Sequence, residues 1–269
     1  DAAQAIGASS DVESYQLLDQ LGLLVDKSLV VADDTRNGMR YRLLETVRQY
    51  AQEKLSESGE ADQVRTRHRD HYTATAAKLE SLGHSADEQL LEWAQIETDN
   101  LRAAFVWSRE NSDLEIALQL ILSLRPMWLR GRRAQEALTG LAAFLADEES
   151  SRRPAVWAGA VAYESILSGF MGMGKPTDLG RAQEALTIAR QLDDPALIAQ
   201  ALHACGMLAI FDQKVAERYF TEAIELASAT GDRWSLCQIF SYRATAGVLA
   251  GEPTAAVAIP RGSGDIRHG

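Results

Sequence analysis

SLVVADDTRNGMRYRLLETVRQY, residues 28 to 50, changes its periodicity twice. SLVVADD (28–34) and MRYRLL (39–44) are short β-prone runs on either side of the turn-rich TRNG, the pattern of a hairpin. Before them, YQLLDQLGLLVDKS (15–28) sets Leu17, Leu18, Leu21 and Leu24 on one helical face. After them, LLETVRQYAQEKLSESG (43–59) sets Leu44, Val47, Tyr50, Ala51 and Leu55 along one side and stops at Gly59, as a C-terminal glycine should. Helix, hairpin, helix is the layout of a winged-helix unit, expected over residues 1–60.

The rest reads as helix. SADE (85–88) has the form of a capping box, and Leu90, Leu91, Trp93, Ala94 and Ile96 supply the apolar stripe of a long helix or a kinked pair. Trp93, Leu101, Phe105 and Trp107 recur at helical spacing and are read as core. A helix over 114–129, a turn at Gly131 and a return over 132–146 complete a helical linker, 61–150. Beyond Pro154 a repeat emerges: QEALTIARQLDDP (183–195) lines up with TEAIELASATGDR (221–233) at an offset of 38 residues. Such a period signals stacked helical hairpins. The expected fold is therefore mainly α: a winged-helix unit followed by a hairpin array, tetratricopeptide-like over 151–269 and incomplete at its C-terminus.

LVDKSLVV (24–31), YRLLETVRQYAQEKL (41–55) and RTRHRDHY (65–72) together resemble the winged-helix region of STAND-type signal-transduction ATPases fused to bacterial LuxR-type transcriptional regulators. EWAQIETDNLRAAFVWS (92–108), the pair around MWLRGRRAQEAL (127–138) and the later hairpins are similar to the linker and tetratricopeptide-like region of the same family. The resemblance covers roughly residues 15 to 250. It implies a piece of a larger regulator, or a family member without its motor, because the family's nucleotide-binding domain precedes the winged helix. In related ATPases that unit packs on the nucleotide domain, often with a nucleotide-sensing histidine; Leu44 stands at the matching position.

Charge narrows the partners. Thirty-eight acidic against 27 basic residues leave a net charge of −11, which disfavours broad attraction to nucleic acid or anionic lipid. Residues 1–60 hold eleven acids against six bases, so the unit is poorly suited to phosphate contact. The candidates for DNA or domain contact are Arg36, Arg40 and Arg42 in the hairpin. At the other end, Leu236, Ile239, Phe240 and Val248 form a candidate exposed face, because the last hairpin lacks a successor and the tail IPRGSGDIRHG is a poor cap. That face is expected to be covered by the remainder of a parent protein or by a second copy of the chain.

Four near-motifs are set aside. GFMGMGKPT (169–177) approaches a phosphate-binding loop, but an alanine-rich helix precedes it where a strand is required, and Pro176 stands where Ser or Thr should hold magnesium. His68 and His71 are three apart, yet Arg65, Arg67 and Arg69 would repel a metal cation; a solvated basic helix face is expected there. His203 and Cys205 have no orienting acid nearby, and both Cys205 and Cys237 read as packed thiols. Glu148 and Glu149 read as solvated linker residues. No catalytic, cofactor or metal residue is assigned. The expected protein is a non-catalytic, cytoplasmic regulatory and protein-interaction segment, its winged helix packing on an ATPase domain and its repeats receiving a partner or inducer. The alternative is a sequence-specific DNA-binding winged helix.

Overall fold

In the computed structural model, which describes residues 2–7, 14–35, 38–81, 87–130, 133–175 and 177–249, the chain begins with α1 (Ala2–Gly7), α2 (Ser14–Asp26), β1 (Val30–Thr35), β2 (Gly38–Leu43) and α3 (Glu45–Glu57). The first change of period, at Ser28, is a helix stop. Ser28 turns left-handed at φ 58°, and the amides of Ser28 and Leu29 return to the carbonyls of Val25 and Leu24. That is a Schellman cap with serine where glycine is preferred. β1 and β2 pair antiparallel, Val30 opposite Leu43 and Asp33 opposite Arg40. Leu44, extended at ψ 149°, then opens α3.

The helical array follows as α4 (Ala61–Ser81), α5 (Asp87–Ile96), α6 (Thr98–Glu110), α7 (Leu114–Ser123), α8 (Arg125–Arg130), α9 (Ala134–Leu145), α10 (Glu148–Ser151), α11 (Pro154–Phe170), α12 (Asp178–Gln191), α13 (Pro195–Leu208), α14 (Gln213–Thr230) and α15 (Arg233–Leu249). The stripe over 85–108 is a kinked pair, broken at Glu97. The helix expected over 114–129 is also two pieces, broken at Leu124. Pro126 explains the second break, because it lacks an amide hydrogen and its ring would strike the carbonyl four residues back. Glu148 and Glu149 stand in the one-turn helix α10, where Asp147 caps the Glu149 amide at 3.0 Å.

One core cluster gathers Leu101, Leu114, Leu120, Leu141 and Phe144 from α6, α7 and α9. A second gathers Leu202, Phe220 and Ile239 from α13, α14 and α15. α11 belongs to both, with Tyr163 and Leu167 in the first and Ala162 and Ile166 in the second. The 38-residue offset is visible in the stops between helices. Asp193, at φ 53°, ends α12, and Gly231, at φ 72°, ends α14, 38 residues on. The next residue of each unit caps the following helix: Asp194 accepts from the Ala196 and Leu197 amides, and Asp232 from the Ser235 amide. Small residues let the helices close. A β-carbon on Gly206 of α13 would lie 2.5 Å from the Phe220 ring on α14.

RTRHRDHY, expected as a solvated basic face, is an internal seam. Arg69 is 6% exposed, its guanidinium bound to Asp113 and Asp70. Arg67 Nε donates to the Ile6 carbonyl at 2.7 Å, tying α1 to α4. Arg65 lies over the Trp107 ring, 5.2 Å from its centroid. A charged guanidinium is buried here because Asp113, 44 residues along the chain, joins its neighbour Asp70 in answering it.

Candidate interaction site at the wing

The hairpin register decides what its arginines can do. Asp33 stands opposite Arg40 on β2, and Arg42, two residues along, shares that face. Asp33 takes Arg42 diagonally, Nη2 to Oδ2 at 2.8 Å. Arg40 reaches off the sheet instead: Nη1 meets Glu97 Oε1 at 2.7 Å and Nη2 meets the Ile96 carbonyl at 3.0 Å. Arg40 and Arg42 are thus both committed within the chain, and Arg36 lies outside the described residues.

Glu97 is the hub of that contact. Its Oε2 accepts from the Tyr72 hydroxyl at 3.0 Å and from Asn100 Nδ2 at 2.5 Å. Asn100 Oδ1 meets His68 Nε2 at 3.3 Å. Burial, reinforced by the Glu97 charge, raises the Tyr72 pKa, so the phenol stays a donor. Burial also lowers His68 and His71, against a smaller upward pull from Glu97. The kink between α5 and α6 therefore holds an anion between the wing and α4. Sequence reading missed Glu97; the interrupted stripe at EWAQIETDN was its only local signal.

The wing also leaves large apolar side chains uncovered. Tyr15, Leu23, Met39, Leu44 and Tyr50 are each more than half exposed, and α3 has no buried residue. The apolar side expected for α3 exists as a stripe, but Val47 and Leu55 are only partly covered. Leu17 is partly covered, lying where a β-carbon on Gly7 would strike it.

The other sequence candidates fall as follows. The stretch 169–177 is the bend between α11 and α12: Gly172 turns at φ 68°, and the Met173 and Gly174 amides return to the Ser168 carbonyl. A β-carbon on Gly174 would lie 2.8 Å from Leu208, so close packing accounts for a second glycine. The Lys175 amide donates to Asp178 Oδ2 at 2.9 Å, which places a carboxylate where a phosphate would be cradled. Pro176, Ser85 and every residue after Leu249 lie outside the described residues. Among the described residues no group of three His, Cys, Asp or Glu side chains comes together to hold a metal.

His203 is 3% exposed between Phe220 and Tyr242, its Nε2 without a partner. Burial lowers its pKa to about 3. Burial likewise pushes the Cys205 thiol up to about 12, leaving an inert packed group. Cys237, expected to pack as well, is exposed. On the last helix, Ile239 departs from the expected exposed face: it is fully buried in the second core. Leu236 and Phe240 are partly covered and Val248 is 59% exposed, because the helix turns Ile239 inward toward α13 and α14.

Residues 1–56 match the sequence family described as the winged helix-turn-helix domain. Over 260 residues, 94% of its length, the chain is 46% identical to proteins named as HTH-type transcriptional regulators in Mycobacterium bovis and Mycobacterium tuberculosis. It spans 29% of those relatives. A shorter similarity, 57% identity over 72 residues, links 26% of the chain to 18% of an uncharacterized protein of Mycobacterium tuberculosis.

Proposed function

We propose that the chain is a non-catalytic regulatory segment of a STAND-like, LuxR-type transcriptional regulator. Its winged-helix unit docks on another domain of that regulator, an ATPase domain in the family it resembles, and its tetratricopeptide-like hairpins receive a partner or inducer. The observation that carries this reading is the composition of the free surface on the winged unit. Arg40 and Arg42 are neutralised by Glu97 and Asp33, while Tyr15, Leu23, Leu44 and Tyr50 stand in solvent. Large exposed apolar side chains suit a protein face; phosphate contact needs unpaired cations. The length of the relatives supplies room for such a domain.

Sequence-specific DNA binding is the second reading, favoured by the winged helix-turn-helix match and by the relatives' names. Fluorescence anisotropy with duplex DNA separates the two. The leading reading expects weak binding, indifferent to sequence and lost steeply with salt. A footprint on one operator, weakened by Arg42→Ala, would establish the second.

A further inference from the structure

We infer that the helices after the wing hold a binding site for a small, neutral, apolar molecule, benzene- to indole-sized, in the open-mouthed cavity lined by α6, α7, α8 and α9. The cavity measures about 170 Å³. Its floor is Leu101, Leu120, Ile121, Leu124, Met127 and Trp128, each at most 6% exposed. Well-packed interiors leave few voids larger than a water molecule, so a space of this size over a buried apolar floor is a departure from ordinary packing.

The polar groups at the wall are already committed. Trp128 Nε1 donates to the Ile121 carbonyl at 2.8 Å. The Thr98 hydroxyl lies 3.0 Å from the Ala94 carbonyl and accepts from Arg133 Nη1 at 2.8 Å. A water inside would need two to four polar partners and finds none free among these; an apolar cavity of about 150 Å³ stays dry and accepts benzene. The break at Leu124 between α7 and α8 lies in the wall, and Met127, an adaptable side chain, lines the gap.

The rim sets the chemistry of entry. Arg102 Nε and Arg133 Nε each donate to Glu136, at 2.8 Å, and Phe105 stands beside Gly140, whose missing side chain keeps the mouth open. Arg102 also meets Asp99 at 3.3 Å, so two guanidinium groups face two carboxylates and the rim keeps no net charge to select an ion. The site does not depend on whether the winged unit meets protein or DNA.

The test is a titration of the methyl-labelled full chain with toluene and with indole, followed by NMR. The proposal expects saturable shifts led by Leu101, Leu120, Ile121, Leu124 and Met127. It also expects Gly140→Leu, which places a side chain at the mouth beside Phe105, to weaken binding at least ten-fold; Ala137→Leu serves if that variant does not fold. Shifts that rise linearly without saturation, or that are led by the exposed Leu23, Leu24 and Val31, would overturn it, as would unaltered affinity in a folded plugged variant.

Discussion

Arg40 of the hairpin and Glu97 of the helical array, 57 residues apart, meet at 2.7 Å, and the same carboxylate holds Tyr72 and Asn100. One acidic side chain therefore joins the hairpin to the helices behind it, beside the Arg67–Ile6 tie between α4 and α1. Glu97→Gln should cost about 1–3 kcal/mol, since a neutral amide cannot serve three donors and all three bonds are partly buried. Arg40→Ala should cost less, about 1 kcal/mol or below, because its guanidinium is one-third exposed. Urea unfolding checks both, and proteolysis of the hairpin should quicken in each variant. Equal stability of Glu97→Gln and the parent chain would mean that the wing is held by something else.

The repeat predicts opposite effects at two turns. Asp193 occupies the left-handed position that Gly231 fills one unit later. Asp193→Gly should stabilise the chain by up to about 1 kcal/mol, the cost of holding a side chain in that conformation. Gly206→Ala should destabilise by about 1–3 kcal/mol, because its new methyl meets the buried Phe220 ring. Thermal melts of the two variants, which ought to move in opposite directions, test whether the hairpins close as described.

His203 gives the fold a dependence on acid. The histidine charges at about 6.5 in an unfolded chain, while in the fold burial holds it neutral down to about 3, with Asp232 and Arg125 the charges that act on it in opposite senses. Between those values the unfolded state binds more protons, so stability falls as pH falls, by up to about 1.4 kcal/mol per pH unit from this group. His203→Leu should flatten that slope below pH 6.5 and leave the neutral side unchanged in shape. Denaturant midpoints across pH 4 to 8 make the comparison.

The bend at 169–177 should be indifferent to nucleotide. Calorimetric titration with Mg-ATP is expected to show no saturable heat, and Lys175→Ala no effect, because the loop's amides return to Ser168 and Asp178. Micromolar binding abolished by Lys175→Ala would contradict this.

What the sequence made legible follows from locality. The hairpin announced itself through its period and its Asn-Gly turn signal, and the hairpin array through the alignment of DDP with GDR, because caps and stops are set by neighbouring residues. Arg69 and Glu97 were misread or missed because their partners lie far along the chain: Asp113 is 44 residues from Arg69, and Arg40 is 57 from Glu97. A charge looks solvated until the fold brings its counter-charge to it. The α3 stripe was legible as amphipathic, but amphipathicity does not say whether its cover lies within the chain, and here Leu44 and Tyr50 remain exposed.

Hydrogen exchange at α3 tests the central claim most directly, measured in this chain and in the longer regulator to which it is proposed to belong, each with and without duplex DNA. A docked winged unit predicts that the amides of Glu45–Glu57 slow at least ten-fold in the longer protein without DNA, and that Tyr50→Asp abolishes the difference. Exchange as fast in the longer protein as in the isolated chain, slowed only when DNA is added, would contradict the account and assign the face to DNA.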